Sequence, residues 1–193
     1  MTSSDLIRAF IAVEINADTR AALVRMQKRL AQAQGHVGWT KPENIHCTLI
    51  FLGDVPAGKI PAIAGALSAT AADCRAFEVE AAGLGCFGPA RAPRIIWAGL
   101  QPAEPLVEMQ RQLCRAMPRE DAAASECEQK FHPHLTIGRV RSSRNAAALL
   151  AAVERHAAAV FGAVPVARIL LMESRLGPSG PAYRPLHTAD LAG

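Results

Sequence analysis

The sequence predicts an α+β fold of two related lobes, with two small sheets facing each other across a cleft. Three observations carry this expectation. Strand-like and helix-like stretches alternate along all 193 residues. Two of the strands, "HCTL" from His46 and "HLTI" from His134, share one His-x-Thr pattern. Each of these strands stands at the centre of a similar run of elements, with no Pro/Ser-rich linker between the runs. Residues 1–193 are therefore expected to form a single domain of two interleaved lobes.

The elements follow from local pattern. "IRAFIAVEI" is rich in β-formers, and residues 17–34 have an amphipathic helical spacing that ends at Gly35. "NIHCTLIFLG" is a strand that Gly53-Asp54 should stop, followed by a helix over 61–72. "FEVEAAGLGCF" and "RIIWAGL" are strands separated by the turn "GPARAP", and 105–117 is helical. The pattern then returns: strand "HPHLTIGRV", a helix over 143–160, strand "ARILLMESRL", and a Gly/Pro turn leading to a last strand. Alanine runs such as "AAALLAAVERHAAAV" keep helical spacing, and alanine is the best helix former.

Composition excludes several classes. Half the residues are hydrophobic and a fifth charged, as in ordinary globular proteins. No stretch approaches the eighteen or so apolar residues of a membrane span, and the start lacks a basic leader region. The expectation is a cytoplasmic monomer without membrane contact. Five scattered cysteines with no Cys-x-x-Cys pair suggest reduced thiols, not a disulfide framework or a zinc ribbon. Net charge is +4, and residues 130–184 hold eight Lys or Arg against Glu154 and Glu173. A local basic excess of this kind raises the concentration of an anionic ligand.

Alternation gives the His-x-Thr strands their meaning. Residues i and i+2 of a strand share a face, so His46 with Thr48, and His134 with Thr136, point one way. Cys47, Leu49, Leu135 and Ile137 point the other way, into the core. With seven threonines in the chain, chance places Thr two residues after one of six histidines about 0.2 times; it occurs twice. Two imidazoles supply a general base and a general acid on opposite sides of a reacting centre. Two hydroxyls donate to anionic oxygens. Together they suit in-line displacement at a phosphodiester, which needs no metal and no cofactor. His132 and His134 lack a third ligand nearby, so His132 is read as structural.

The paired motifs, with "WTKPENIHCTLIFLG", "FHPHLTIGRV", "ESRLGPSGPAYRPL" and the opening "RAFIAVEI", resemble the 2H phosphoesterase superfamily, in its RNA 2',3'-cyclic phosphodiesterase (2'-5' RNA ligase) branch. The resemblance covers nearly the whole chain. It implies a bilobal fold of two pseudo-symmetric lobes, antiparallel sheets facing a central cleft and helices outside. It also implies hydrolysis of RNA 3' ends, or nucleotides, carrying a 2',3'-cyclic phosphate to a 2'-phosphate, with ligation as the reverse reaction. By motif position His46 would be the proton donor and His134 the proton acceptor, with Thr48 and Thr136 binding phosphate oxygens. Arg139 matches a phosphate-binding arginine, yet strict alternation puts it opposite His134. To reach the cleft it needs a bulge, for which Gly138 is well placed. Cys47 and Gly138 stand where the branch often has leucine and alanine.

Trp39, Phe51, Phe131 and Tyr183 are candidates for stacking on a base. Phe51 and Phe131 are expected in the core and Tyr183 nearest the substrate. His36, His156 and His187 are expected at the surface or at helix caps. The alternatives are a phosphodiesterase for small cyclic nucleotides or nucleotide-sugar cyclic phosphates, and a non-catalytic RNA-binding module.

Overall fold

Phe10, Ile11, Ala12 and Val13 are buried one after another in the first strand, β1 (Leu6–Glu14), which marks a strand covered on both faces. The computed structural model describes residues 6–89, 91–117, 127, 130–178 and 180–193. Helix α1 (Ala17–Ala31) starts at Asn16, whose Oδ1 accepts from the Thr19 N–H at 2.9 Å. Then come β2 (Val37–Trp39), β3 (His46–Pro56), α2 (Ile60–Asp73), β4 (Phe77–Phe87), β5 (Ile95–Gln101) and α3 (Glu104–Ala116). The second part holds β6 (His134–Val140), α4 (Ala146–Arg155), β7 (Val160–Val166), β8 (Arg168–Gly177) and β9 (Gly180–Asp190).

The strands make one curled antiparallel sheet in the order β7-β4-β5-β6-β3-β1-β8-β9, with β2 added beside β6. It divides into two four-stranded halves, because β6 and β3 meet through a single register pair, Leu135 with Cys47. Helices α2 and α3 pack on the half containing β3, while α1 and α4 pack on the half containing β6. The predicted pair of facing sheets is thus one sheet pinched at its centre, and the pinch lies between the two His-x-Thr motifs. Sequence order does not follow the halves: β1 lies in one, and α1, the next element, covers the other.

Four local expectations need correction. The helix expected over 143–160 stops at Arg155, and its alanine-rich end gives way to β7. Pro165 is accommodated there because β7 is an edge strand. The short strand β2 was not anticipated. Strand β3 is not stopped at Gly53-Asp54; Gly53 takes φ +69° and the strand runs on to Pro56. The thiols are not all reduced, since Cys114 on the last turn of α3 forms a disulfide with Cys127, Cα to Cα 5.7 Å. Cys47, Cys74 and Cys86 are free.

Two bulges set the directions of the central side chains. Along β6, Trp97 of β5 faces Thr136 and Ile96 faces Gly138, so Ile137 is an extra residue. Along β3, Ala12 faces Thr48 and Ile11 faces Ile50, so Leu49 is extra in the same position. Ile137 and Gly138 are both turned inward, as are Leu49 and Ile50. A Cβ on Gly138 would lie 2.8 Å from Val37 Cγ1 and 3.0 Å from the Trp39 ring, so β2 occupies the space this glycine leaves. The Ile137 carbonyl accepts from the Thr40 N–H at 3.0 Å and from Nε2 of buried Gln27 at 2.8 Å. Gln27 Nε2 also donates to the Thr40 carbonyl at 2.8 Å.

Replacing Gln27 by leucine keeps the volume and removes both donations. The expected cost is about 1–3 kcal/mol, seen as a lower urea midpoint at unchanged m-value. An unchanged midpoint would mean that the bulge is held without α1.

Candidate active site

Each bulged strand presents a histidine, a threonine and the residue five positions after the histidine on one face. In β6 these are His134, Thr136 and Arg139; in β3 they are His46, Thr48 and Phe51. Leu135 and Ile137 are fully buried behind β6, and Cys47 and Leu49 are 1% and 3% exposed behind β3. Burial pushes the Cys47 thiol up to about 12, so it stays protonated and is not a nucleophile.

The two imidazoles are fixed by the same device. His46 Nδ1 donates to the Asn44 carbonyl at 2.9 Å, and His134 Nδ1 donates to the His132 carbonyl at 2.7 Å. A carbonyl only accepts, so the Nδ1 proton is assigned and each Nε2 is left for chemistry. His46 Nε2 meets the Thr48 hydroxyl at 3.0 Å, which donates to the neutral ring. His134 Nε2 has no hydrogen bond among the described residues.

Aromatic rings wall both histidines. Phe10 stacks on His46 with centroids 4.8 Å apart and planes 22° apart. Tyr183 meets the same imidazole edge-on at 5.2 Å, and Phe87 meets His134 edge-on at 4.9 Å. Burial is the main reason that His46 titrates at about 4; its bond to the Asn44 carbonyl opposes the shift, and the charges of Arg139 and His134 add to it. His134 is lowered by the same causes in the same order: burial, opposed by the His132 carbonyl, then Arg139 and His132. Arg139, exposed beyond the Gly138 bulge, carries a charge that lowers both histidines.

Three of the eight basic residues in the C-terminal third are held in ion pairs. Arg168 pairs with Glu14 at 3.0 Å, and Arg175 and Arg184 share Glu173 at 2.7 and 2.8 Å. Arg139 is the member of that group whose field reaches both imidazoles.

Residues 40–177 match the profile described as the 2'-5' RNA ligase superfamily. The chain belongs to this superfamily. It is 33% identical over 177 residues to the RNA 2',3'-cyclic phosphodiesterase of Methanothermobacter thermautotrophicus, covering 92% of this chain and 95% of that protein. Identity to the protein of the same name from Thermotoga maritima is 28% over 190 residues, 97% of each. Among solved structures, TT0787 of Thermus thermophilus superposes with a TM-score of 0.80 at 27% identity, over 97% of this chain and 99% of that one. Escherichia coli LigT complexed with 3'-AMP has the same fold at a TM-score of 0.72 and 22% identity, over 98% of this chain and all of that one.

Within this 2'-5' RNA ligase superfamily fold, the register puts the five predicted site residues on one face of the sheet. Two aromatic expectations fail. Phe51 is 48% exposed and sits beside Phe10 (6.2 Å), because the Leu49 bulge turns it outward. No glycine marks that bulge, so strict alternation misplaced it. Trp39 turns to the core side over Gly138 and does not line the cleft. Phe131 packs against the core as expected, and Tyr183 stands beside His46, though on β9 and not in a turn. His187 bonds the Ser68 hydroxyl, His36 bonds the Ser142 hydroxyl, and His156 caps α4.

Two outcomes follow from the electrostatics. The folded His46 titrates near 4 and the unfolded one near 6.5, so the unfolded chain binds the extra proton between these values. His46 therefore costs nothing above pH 6.5 and destabilises the fold as pH falls towards 4, by up to ~3 kcal/mol. Urea midpoints of His46→Gln should fall less than wild type over that window; parallel curves would contradict the burial account. In Arg139→Gln, both imidazoles should titrate at higher pH in the ring-proton NMR spectrum, since a neighbouring cation has been removed.

Proposed function

We propose that this protein hydrolyses 2',3'-cyclic phosphate ends of RNA to 2'-phosphates. The observation that carries the proposal is the parallel construction of the two histidines, each with Nδ1 tied to a carbonyl and Nε2 turned to a cleft that also holds Arg139. The names of the archaeal and bacterial relatives support it.

In the proposed step, His134 Nε2 takes a proton from water as the water oxygen bonds to phosphorus. The bond from phosphorus to O3' breaks, and His46 Nε2 gives O3' its proton. His46 ends neutral and His134 ends protonated; exchange with solvent resets both. Thr48, Thr136 and Arg139 bind the non-bridging oxygens as charge gathers on them. The free site holds both rings neutral, which suits the base but not the acid. Binding an anionic cyclic phosphate offsets the Arg139 charge and raises the affinity of His46 for a proton. The substrate thus helps to arm the acid.

Phe51 offers an exposed ring on the His46 side for the terminal base. With a 5'-hydroxyl in place of water, the same displacement joins two RNA ends through a 2'-5' linkage, driven by strain in the cyclic phosphate. No metal takes part in this scheme. The protein acts as a monomer in the cytoplasm, where RNA ends of this kind arise.

The test is turnover of a short oligoribonucleotide ending in a 2',3'-cyclic phosphate, in EDTA. Wild type should leave a phosphate resistant to a 3'-specific phosphatase, and His46→Ala, His134→Ala and Arg139→Ala should each lose at least two orders of magnitude in kcat. Phe51→Ala should raise KM roughly tenfold. Turnover of small cyclic nucleotides alone would redirect the reading to those substrates, and a folded wild type inert towards both would leave a binding module.

A further inference from the structure

Trp97 has no part in the reaction described, yet it stands in the cleft. In register it faces Thr136 on one side and Gly85 on the other, so the three share the face that carries His134. Its six-membered ring lies over Gly85: a Cβ there would come within 2.3 Å of Cζ2 and 2.6 Å of Cη2. Gly99, opposite His134, also lacks a side chain, and a Cβ on it would lie 3.6 Å from the indole. Phe87, which abuts His134, borders the indole at 5.3 Å. The result is a flat shelf of one indole and two bare glycines beside the catalytic strand.

The indole is held by packing and not by its polar edge. Its Nε1–H is buried without a partner among the described residues. A buried indole N–H usually finds an acceptor, and leaving it unpaired is unfavourable, so phenylalanine would fill the space more cheaply. Trp97 nevertheless stays partly exposed, with one face on Gly85 and Phe87 tilted at 36° beside the indole.

We infer that Trp97 is the stacking platform for the base preceding the terminal nucleotide, which makes an oligoribonucleotide, not a cyclic mononucleotide, the preferred substrate. This rests on the proposed function. Phe51 and Trp97 stand on β3 and β5, on either side of β6 and in halves of the sheet that meet only at the Cys47–Leu135 pair, so they do not grip one base between them. Two platforms therefore serve two bases.

The experiment compares adenosine 2',3'-cyclic phosphate with the diadenosine dinucleotide ending in the same group. In wild type kcat/KM should favour the dinucleotide, and Trp97→Leu should lower that ratio roughly tenfold through KM. Trp97→Phe, which keeps an aromatic face, should restore most of it. A ratio unchanged in Trp97→Leu, with both substrates impaired equally or neither impaired, would overturn the inference and leave Trp97 a structural floor. Fluorescence gives a reading that does not need turnover. In a Trp39→Phe background Trp97 is the sole tryptophan, and the dinucleotide 2'-phosphate should quench it while adenosine 2'-phosphate should not. If wild type turns over neither substrate, the proposed function fails on that result, and quenching still decides the stacking role: its absence overturns it.

Discussion

The site depends on one extra residue in β6. A regular strand carrying His134 and Thr136 on its open face would turn Arg139 into the core, where an unpaired guanidinium cannot be held. Ile137 breaks the alternation, and three features keep it broken. Gly138 leaves room for Val37 and the Trp39 ring, while Thr40 and Gln27 capture the carbonyl that the bulge frees from the ladder. Helix α1 and strand β2 therefore serve the site without touching it. The same irregularity in β3 turns Phe51 outward, so each half of the sheet presents a histidine, a threonine and one further side chain.

Electrostatics distinguishes Arg139 from its paired neighbours on the following strands. Ion pairs to Glu14 and Glu173 occupy Arg168, Arg175 and Arg184, while Arg139 spends its field on two desolvated imidazoles. All three groups disfavour a further positive charge, and a phosphate relieves all of them at once. Selectivity for an anion and readiness for proton transfer thus have one physical origin. The aromatic walls that exclude water from His46 are what make the relief large.

Much of this was legible in the sequence, and the limits have physical reasons. Period-two alternation around His46 and His134 gave the shared face of the histidines and threonines directly, because one face of each strand is buried and register is then strongly specified. Gly138 signalled its bulge, since a glycine in a strand leaves space for another element. The β3 bulge falls at Leu49-Ile50, two ordinary strand residues, and nothing local announces it; Phe51 was misplaced for that reason. Strand β7 was hidden because "HAAAVFGAVPV" continues an alanine pattern beyond the end of α4. The Cys114–Cys127 bridge joins two thiols that no spacing pattern pairs. The single pinched sheet escaped because a contact as small as Leu135 with Cys47 leaves no trace in either strand.

The duplication repeats geometry but not chemistry, and the difference lies in what surrounds each ring. Phe10 lies flat against His46 and helps to exclude water from it, which disfavours the imidazolium. Phe87 stands perpendicular to His134 and provides no such stacked face. The Thr48 hydroxyl occupies His46 Nε2 in the free protein, whereas His134 Nε2 is unengaged among the described residues and open to a water molecule. Burial favours the neutral form of both rings at rest, and in the proposed mechanism a bound phosphate offsets Arg139 and so favours the proton on His46. The surroundings of the two rings differ, but the proposed roles of His46 as donor and His134 as acceptor rest on motif order. Two halves built alike thus differ in surroundings: the bulges align the groups, and the aromatic neighbours of each ring are arranged differently.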